Sequence, residues 1–215
     1  MGKILPTVLD TKHENILAHE RSLAKAVTSA VIESKPLSVW EITIPILFIA
    51  NFFRFKRSRE IFTLNFLFTK KLALEAAFDM VKKGHSKEEA MARIRDKTRD
   101  ILASDQKGVY SQKIRQKQLK EMELLIDHYR RLLEADGKDY TSMMKNAYQT
   151  RENYNKFLDK LKGAEIEVNR AAKQIVKIST ASDLVSKMEK AAERIRMARA
   201  EKIFGSNNWQ QNVDQ

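Results

Sequence analysis

Residues 111–133 read SQKIRQKQLKEMELLIDHYRRLL, and this stretch decides the fold class. Its apolar side chains recur at helical spacing, namely Ile114, Leu119, Met122, Leu125, Ile126, Tyr129, Leu132 and Leu133. That spacing predicts a long amphipathic helix with one face in a core. The chain of 215 residues has only six glycines and three prolines, so few residues interrupt similar patterns elsewhere. We therefore predict an all-α protein.

The helical pattern extends from this stretch toward the N-terminus. A first helix is expected after Asp10 or Thr11, since both residue types are good N-caps. A second helix is expected to continue from an apolar run at 61–68 and to end at Gly84, a residue type favoured just beyond helix ends. Ser86 opens a capping box that predicts the start of a third helix.

The pattern also extends toward the C-terminus. A turn is expected at Gly137, after which Asp139 or Thr141 restarts a helix. A second turn is expected at Gly163, and residues 179–183 are a candidate break in the last helical segment. These connections are short, which favours antiparallel packing of neighbouring helices.

We predict two helical parts followed by a tail. Residues 1–107 would hold apolar helices, residues 108–204 an elongated antiparallel bundle or coiled coil, and residues 205–215 a polar tail. The apolar stripes are too irregular for strict heptads. Tyrosine and methionine side chains on these stripes are expected in the bundle core, namely Tyr140, Met143, Met144 and Tyr154. A homo-oligomer formed through the bundle is one expected mode of assembly.

The composition limits the classes of function. The chain has no cysteine, which excludes disulfide frameworks, iron–sulfur clusters and thiolate zinc sites. Its net charge of +12 favours anionic partners without choosing among lipid, nucleic acid and acidic protein. The first residues lack the apolar core of a signal peptide, so we expect a cytoplasmic, membrane-associated protein.

The apolar segment, residues 37–53, reads LSVWEITIPILFIANFF and is followed by four cations. As a helix it would rise only about 25 Å, and Glu41 and Pro45 lie within it. We therefore favour interfacial attachment to a membrane or a hydrophobic partner over a membrane span. Burial of this segment in the protein's own core is the alternative.

The residues expected to make this attachment fall into two groups. The apolar group is Trp40, Ile44, Ile46, Leu47, Phe48, Ile49, Phe52, Phe53, Phe55, Phe62, Phe66 and Phe68. The basic block consists of Arg54, Lys56, Arg57 and Arg59, whose charges suit an anionic lipid surface. Eight of the ten phenylalanines lie between residues 48 and 78, and this concentration of aromatic residues beside cations is typical of a membrane interface.

No motif for catalysis or for a cofactor is present in the sequence. No Glu lies three residues before a His, as a di-iron bundle requires, and no nucleophile elbow or phosphate loop occurs. We expect no enzyme activity, no cofactor and no metal, and we expect the histidines of the helices, such as His13, His19 and His128, to be solvated.

Nucleic-acid binding is the alternative function. Lys113, Lys117 and Lys120 fall on one helix face, and Arg196 and Arg199 belong to a second basic cluster. Clustered cations of this kind neutralise phosphates. Acidic residues interleave the second cluster, and a solvated helix face also explains the pattern.

Overall fold

The computed structural model describes residues 7–31, 58–105, 110–174 and 179–205, and within them the side chains of 58–62, 65 and 179–184 are not described. All regular secondary structure in these ranges is α-helical, which confirms the predicted all-α class. The helices are α1 (Val8–Val31), α2 (Ser58–Lys83), α3 (Lys87–Ser104), α4 (Gln112–Glu134), α5 (Tyr140–Tyr148), α6 (Arg151–Lys173) and α7 (Ser179–Phe204).

Local capping sets most of the helix ends. Ser86 and Glu89 form the predicted capping box at the start of α3, and Ser111 and Asp139 cap α4 and α5. Each such cap contributes about 1 kcal/mol because it satisfies backbone N–H groups that the helix leaves free. The first helix starts earlier than predicted, since the Thr7 hydroxyl already accepts a hydrogen bond from the backbone N–H of Asp10.

The turn predicted at Gly163 is wrong. Helix α6 runs through this glycine without a break, and a Cβ placed on it would meet no heavy atom within 4 Å. One glycine costs a helix about 1 kcal/mol, which the buried stripe of α6 outweighs. The chain instead breaks at Gln149, where φ is +64°, and Thr150 caps α6.

Replacing Gly163 by Ala should stabilise the protein. Alanine removes the entropic cost of glycine within α6, and its methyl group has open space, so we expect the free energy of unfolding to rise by about 0.5–1 kcal/mol. Urea denaturation followed by circular dichroism measures this change. Gly137→Ala is the control that should destabilise, because φ is +145° there and the new Cβ would lie 2.6 Å from Met143 N.

Pairs of contacts establish how the helices run. Helices α1 and α2 are antiparallel, since Lys82 Nζ lies 2.9 Å from Asp10 Oδ1 at one end and the hydroxyls of Thr28 and Thr63 lie 2.9 Å apart at the other. Helices α4 and α6 are also antiparallel. We call the end where α1 finishes and α2 begins the segment end, because residues 32–57 connect to the described chain there.

Four other helix ends lie at the segment end. Ile114 in the first turn of α4 belongs to one apolar cluster with Ala172 in the last turn of α6, and Ile101 in the last turn of α3 packs against that cluster. Val185, near the start of α7, shares a cluster with Val31 of α1. The segment end therefore collects the starts of α2, α4 and α7 and the ends of α1, α3 and α6.

One main core joins the two predicted parts of the chain. Ile16 and Leu74 belong to it, and so do Met122, Tyr129 and Leu158 from beyond residue 108. The residues predicted to lie in the core are buried or packed against it. Met143 and Met144 are fully buried, Tyr154 is 7% exposed, and Tyr140 packs against the cluster.

Candidate functional site

A charged network lies in the interior, between the described helices. The Arg196 guanidinium donates two hydrogen bonds of 2.7 Å to the Glu165 carboxylate, and Lys70 Nζ lies 3.4 Å from the same carboxylate. The side chains of Lys70 and Arg196 are 4% and 8% exposed. The assignment of Arg196 to a nucleic-acid surface is therefore wrong, because this residue is enclosed and paired within the protein.

Two more buried carboxyl groups belong to this network. Glu121 accepts a hydrogen bond of 3.0 Å from the Thr69 hydroxyl, and Glu20 is 6% exposed. Neither Glu20 nor Glu121 has a cation within 4.0 Å among the described residues. Burial raises the pKa of both carboxyl groups, although Lys70 and Arg196 oppose the rise.

The pKa of the Glu165 carboxyl group shifts in the opposite direction. Burial alone would raise the pKa of its carboxyl group, but Arg196 and Lys70 together outweigh burial and lower the pKa well below its usual value. Each of the helices α1, α2, α4, α6 and α7 contributes a charged residue, so the network joins five of the seven described helices. The five residues are Glu20, Lys70, Glu121, Glu165 and Arg196.

A cluster of aromatic rings lies beside the network. His128 is 4% exposed, and its Nδ1 is 2.7 Å from the Tyr148 hydroxyl, while His19 stacks on Tyr140 with ring centroids 3.6 Å apart. Burial, with smaller effects of nearby charges, lowers the pKa of both histidines to about 3, so both are neutral at pH 7. The prediction that these histidines are solvated is wrong, because their rings are packed against other aromatic side chains.

Two cavities that border the network are small. A cavity of about 20 Å³ borders Glu20, and a second of about 50 Å³ borders Gln118 and Glu121. Volumes of this size admit one or a few water molecules. Among the residues that the structure describes, no three His, Asp or Glu side chains are placed to hold a metal ion.

Sequence reasoning missed this network, although a signal for it was present. Glu20 falls on the same stripe as Ile16 and Leu23, and Glu121 falls between Ile114 and Leu125 at core spacing. A charged residue on an apolar stripe must find a partner when the stripe is buried. Such a residue could therefore have been predicted to be buried, but the identity of its partner depends on how the helices pack.

The surface charge is strongly uneven between the two ends. The half of the described helices between the network and the segment end consists of residues 21–31, 58–69, 91–105, 110–120, 166–174 and 179–195. This half carries 16 basic and eight acidic residues, whereas the remaining described residues, outside the network, carry 15 and 14. In sequence, the connecting residues 32–57, 106–109 and 175–178, which lie outside the described part, contain six basic and two acidic residues.

The lysines predicted on α4 belong to this basic half. Lys113 and Lys120 are exposed, and Lys113 Nζ lies 2.7 Å from the neutral side chain of Gln174. Lys117 is half-buried and pairs with Glu167 at 2.7 Å. Arg199 lies in the opposite half, within hydrogen-bonding distance of His19 and Ser22. The predicted nucleic-acid residues therefore do not form one surface.

The structure describes only some of the residues predicted to make the attachment. Phe66 is 7% exposed inside an apolar cluster, and Phe68 is half-buried against another, so Phe66 is a core residue and does not offer a docking surface. Residues 37–57 and the side chains of Arg59 and Phe62 lie outside the described part. Leu64 is 49% exposed and lies on the same first turns of α2.

No family model, curated protein or solved structure matches this chain. None of the described helices has the length and apolar character needed to cross a bilayer. The functional interpretation therefore depends on two features of this chain alone: the buried network and the basic segment end.

Proposed function

We propose that this protein is a non-enzymatic helical protein that attaches peripherally to an anionic membrane surface. The contact would be made by the apolar segment, the basic block and the segment end of the bundle. The opposite end, where basic and acidic residues are nearly balanced, would remain available for protein partners. In this arrangement the bundle acts as a scaffold that holds partners close to the membrane.

One observation carries this proposal: almost all excess positive charge lies at the end of the bundle to which the apolar segment is connected. The described half at the segment end has an excess of eight positive charges, and the opposite half an excess of one. Both ends of residues 32–57 meet the bundle there, since Thr28 contacts Thr63. An anionic lipid interface binds proteins that present apolar and cationic groups at the same end.

The energies are sufficient for reversible attachment. Each cation close to an anionic leaflet contributes about 1 kcal/mol, and the attraction decays within about 10 Å at 0.1 M salt. Burial of apolar side chains adds about 25 cal/mol per Å² removed from water. Since Trp40 is amphipathic, its ring suits the headgroup level, while Ile46 and Phe48 suit the acyl boundary.

Sedimentation with lipid vesicles tests the proposal. The full chain should sediment with vesicles that contain phosphatidylserine, should sediment much less with phosphatidylcholine vesicles, and should be partly released by salt. Equal recovery with both vesicle types, or no sedimentation at all, would contradict the proposal. If the protein does not bind vesicles but retards duplex DNA in a salt-dependent manner, the result would support the nucleic-acid alternative. The exposed residues Lys113 and Lys120 are the candidate contacts for that function.

A pair of single substitutions tests which end of the bundle faces the membrane. Leu64 and Val8 are exposed apolar residues, 49% and 75% exposed, at the segment end and the opposite end respectively. We expect Leu64→Asp to weaken vesicle binding about 10-fold, since it removes an apolar contact and adds a negative charge, and Val8→Asp to leave binding unchanged. The measurement is titration with phosphatidylserine-containing vesicles.

Equal effects of the two substitutions would show that the bundle does not contact the membrane through the segment end. Circular dichroism should show the same helix content in both variants, because both side chains are exposed and neither belongs to an apolar cluster of the core.

A further inference from the structure

The interior network contains more carboxyl groups than cations. Among the described residues, Glu20 on α1, Glu121 on α4 and Glu165 on α6 share two buried cations, Lys70 on α2 and Arg196 on α7. If all three carboxyl groups were ionised, the network would carry one uncompensated negative charge in a region of low dielectric. An unpaired buried charge of this kind is normally removed by protonation.

Three buried polar atoms of the network also have no hydrogen-bond partner. They are Glu20 Oε2, the Tyr129 hydroxyl and Gln118 Oε1. Gln118 is 1% exposed and borders the same cavity as Glu121, which lies three residues further along α4 and hence on the same helix face. An ionised carboxylate cannot donate a hydrogen bond to this amide oxygen, whereas a protonated carboxyl group can.

We propose that the Glu121 carboxyl group holds a proton at neutral pH and donates it to the amide oxygen of Gln118. Glu121 still accepts the hydrogen bond from Thr69 through its other oxygen. The two cations are then balanced by Glu165, which contacts both, and by Glu20. This single assignment makes the network neutral and gives Gln118 Oε1 a donor.

Glu20 is the competing position for the proton, and the geometry disfavours it. Three cations, Lys70, Arg196 and the half-buried Arg199, line the cavity beside Glu20, whereas Lys70 is the one described cation that lines the cavity beside Glu121. These cations favour the ionised form of Glu20. The remaining charged group at the cavity beside Glu121 is Glu189 on α7, whose carboxylate accepts a hydrogen bond of 2.8 Å from Asn169.

The proton makes the bundle sensitive to pH. Glu121 has a higher pKa in the folded chain than in the unfolded chain, so its stabilising effect is complete below the unfolded pKa and is lost as the pH rises through the folded pKa. Alkaline conditions should therefore loosen the packing of α2, α4, α6 and α7 around the network. This inference does not depend on the proposed membrane attachment.

Infrared spectroscopy of the full chain at pH 7 tests the assignment directly. We expect the carbonyl stretching band of a protonated carboxyl group in the wild-type protein and its loss in Glu121→Gln. Absence of the band from the wild-type protein would overturn the proposal. A band that is retained in Glu121→Gln would place the proton on another carboxyl group and would also overturn the proposal.

A second measurement compares the stability of the wild-type protein and Glu121→Gln. The unfolding constant of the wild-type protein, divided by that of the variant, should rise about tenfold per pH unit between the unfolded and folded pKa of Glu121. The ratio cancels the titration of groups common to both proteins, such as His19 and His128. A ratio that stays constant between pH 5 and 7, or that falls, would overturn the proposal.

Discussion

Replacing Arg54, Lys56, Arg57 and Arg59 together by glutamate is expected to weaken binding to phosphatidylserine-containing vesicles by about three orders of magnitude. The four residues follow the apolar segment directly and precede or open α2 at the segment end. Loss of about 1 kcal/mol of attraction for each cation gives about 4 kcal/mol, and 1.4 kcal/mol corresponds to a tenfold change. The repulsion of four new carboxylates adds to this loss.

A matched variant separates local attraction from total charge. Lys138, Lys145, Lys160 and Lys202 are exposed cations in the opposite half, and their replacement by glutamate changes the net charge by the same amount. This variant should retain most of the vesicle binding because its charges lie away from the segment end. If both variants lose binding equally, total charge drives the association and the proposed orientation is wrong.

Replacing Arg196 by Met is expected to lower the free energy of unfolding by about 3–5 kcal/mol. The substitution keeps most of the side-chain volume but removes the two hydrogen bonds to Glu165. It leaves Lys70 as the one buried cation of the network, beside Glu20, Glu121 and Glu165. The loss should show as a lower urea midpoint with an unchanged slope. Such a loss is a large part of the stability of an ordinary domain.

Two controls identify burial as the cause. Lys156 and Glu152 lie 2.7 Å apart, the same distance as in the buried pair, but are 65% and 75% exposed, so Lys156→Met should cost less than about 1 kcal/mol. The double variant Arg196→Met with Glu165→Met should be more stable than Arg196→Met alone, since it removes a carboxylate that has lost its main partner. A double variant that is less stable than this single variant would contradict the explanation by an unpaired buried charge.

Residue type and spacing predicted the helices correctly where the cause is local. Ser86, Ser111 and Asp139 start helices because their side chains accept hydrogen bonds from backbone N–H groups three residues later. Gly84 follows the end of α2 with φ at +71°, as expected of a residue without a Cβ. The apolar stripe of α4 is buried as predicted, with Ile114, Met122 and Ile126 fully enclosed.

The candidate site was predicted less well, because its residues depend on neighbours distant in sequence. Arg196 and Lys113 are both basic residues of amphipathic helices, yet one is paired inside the bundle and the other is exposed. The sequence around each residue does not separate these outcomes. Phe66 likewise belongs to an aromatic stretch that favours a membrane interface, but in the folded chain it packs beneath Lys70 in a core cluster.

The sequence alone determined that this protein is helical, that it is strongly basic, and that the apolar segment is followed by the basic block. These properties follow from composition, periodicity and capping, which depend on a few neighbouring residues. Only the tertiary structure decided that the excess charge gathers at one pole and that three carboxyl groups share two cations in the interior. Both features arise when helices far apart in sequence pack side by side, since packing alone fixes which polar residues lose water and which partners they then meet.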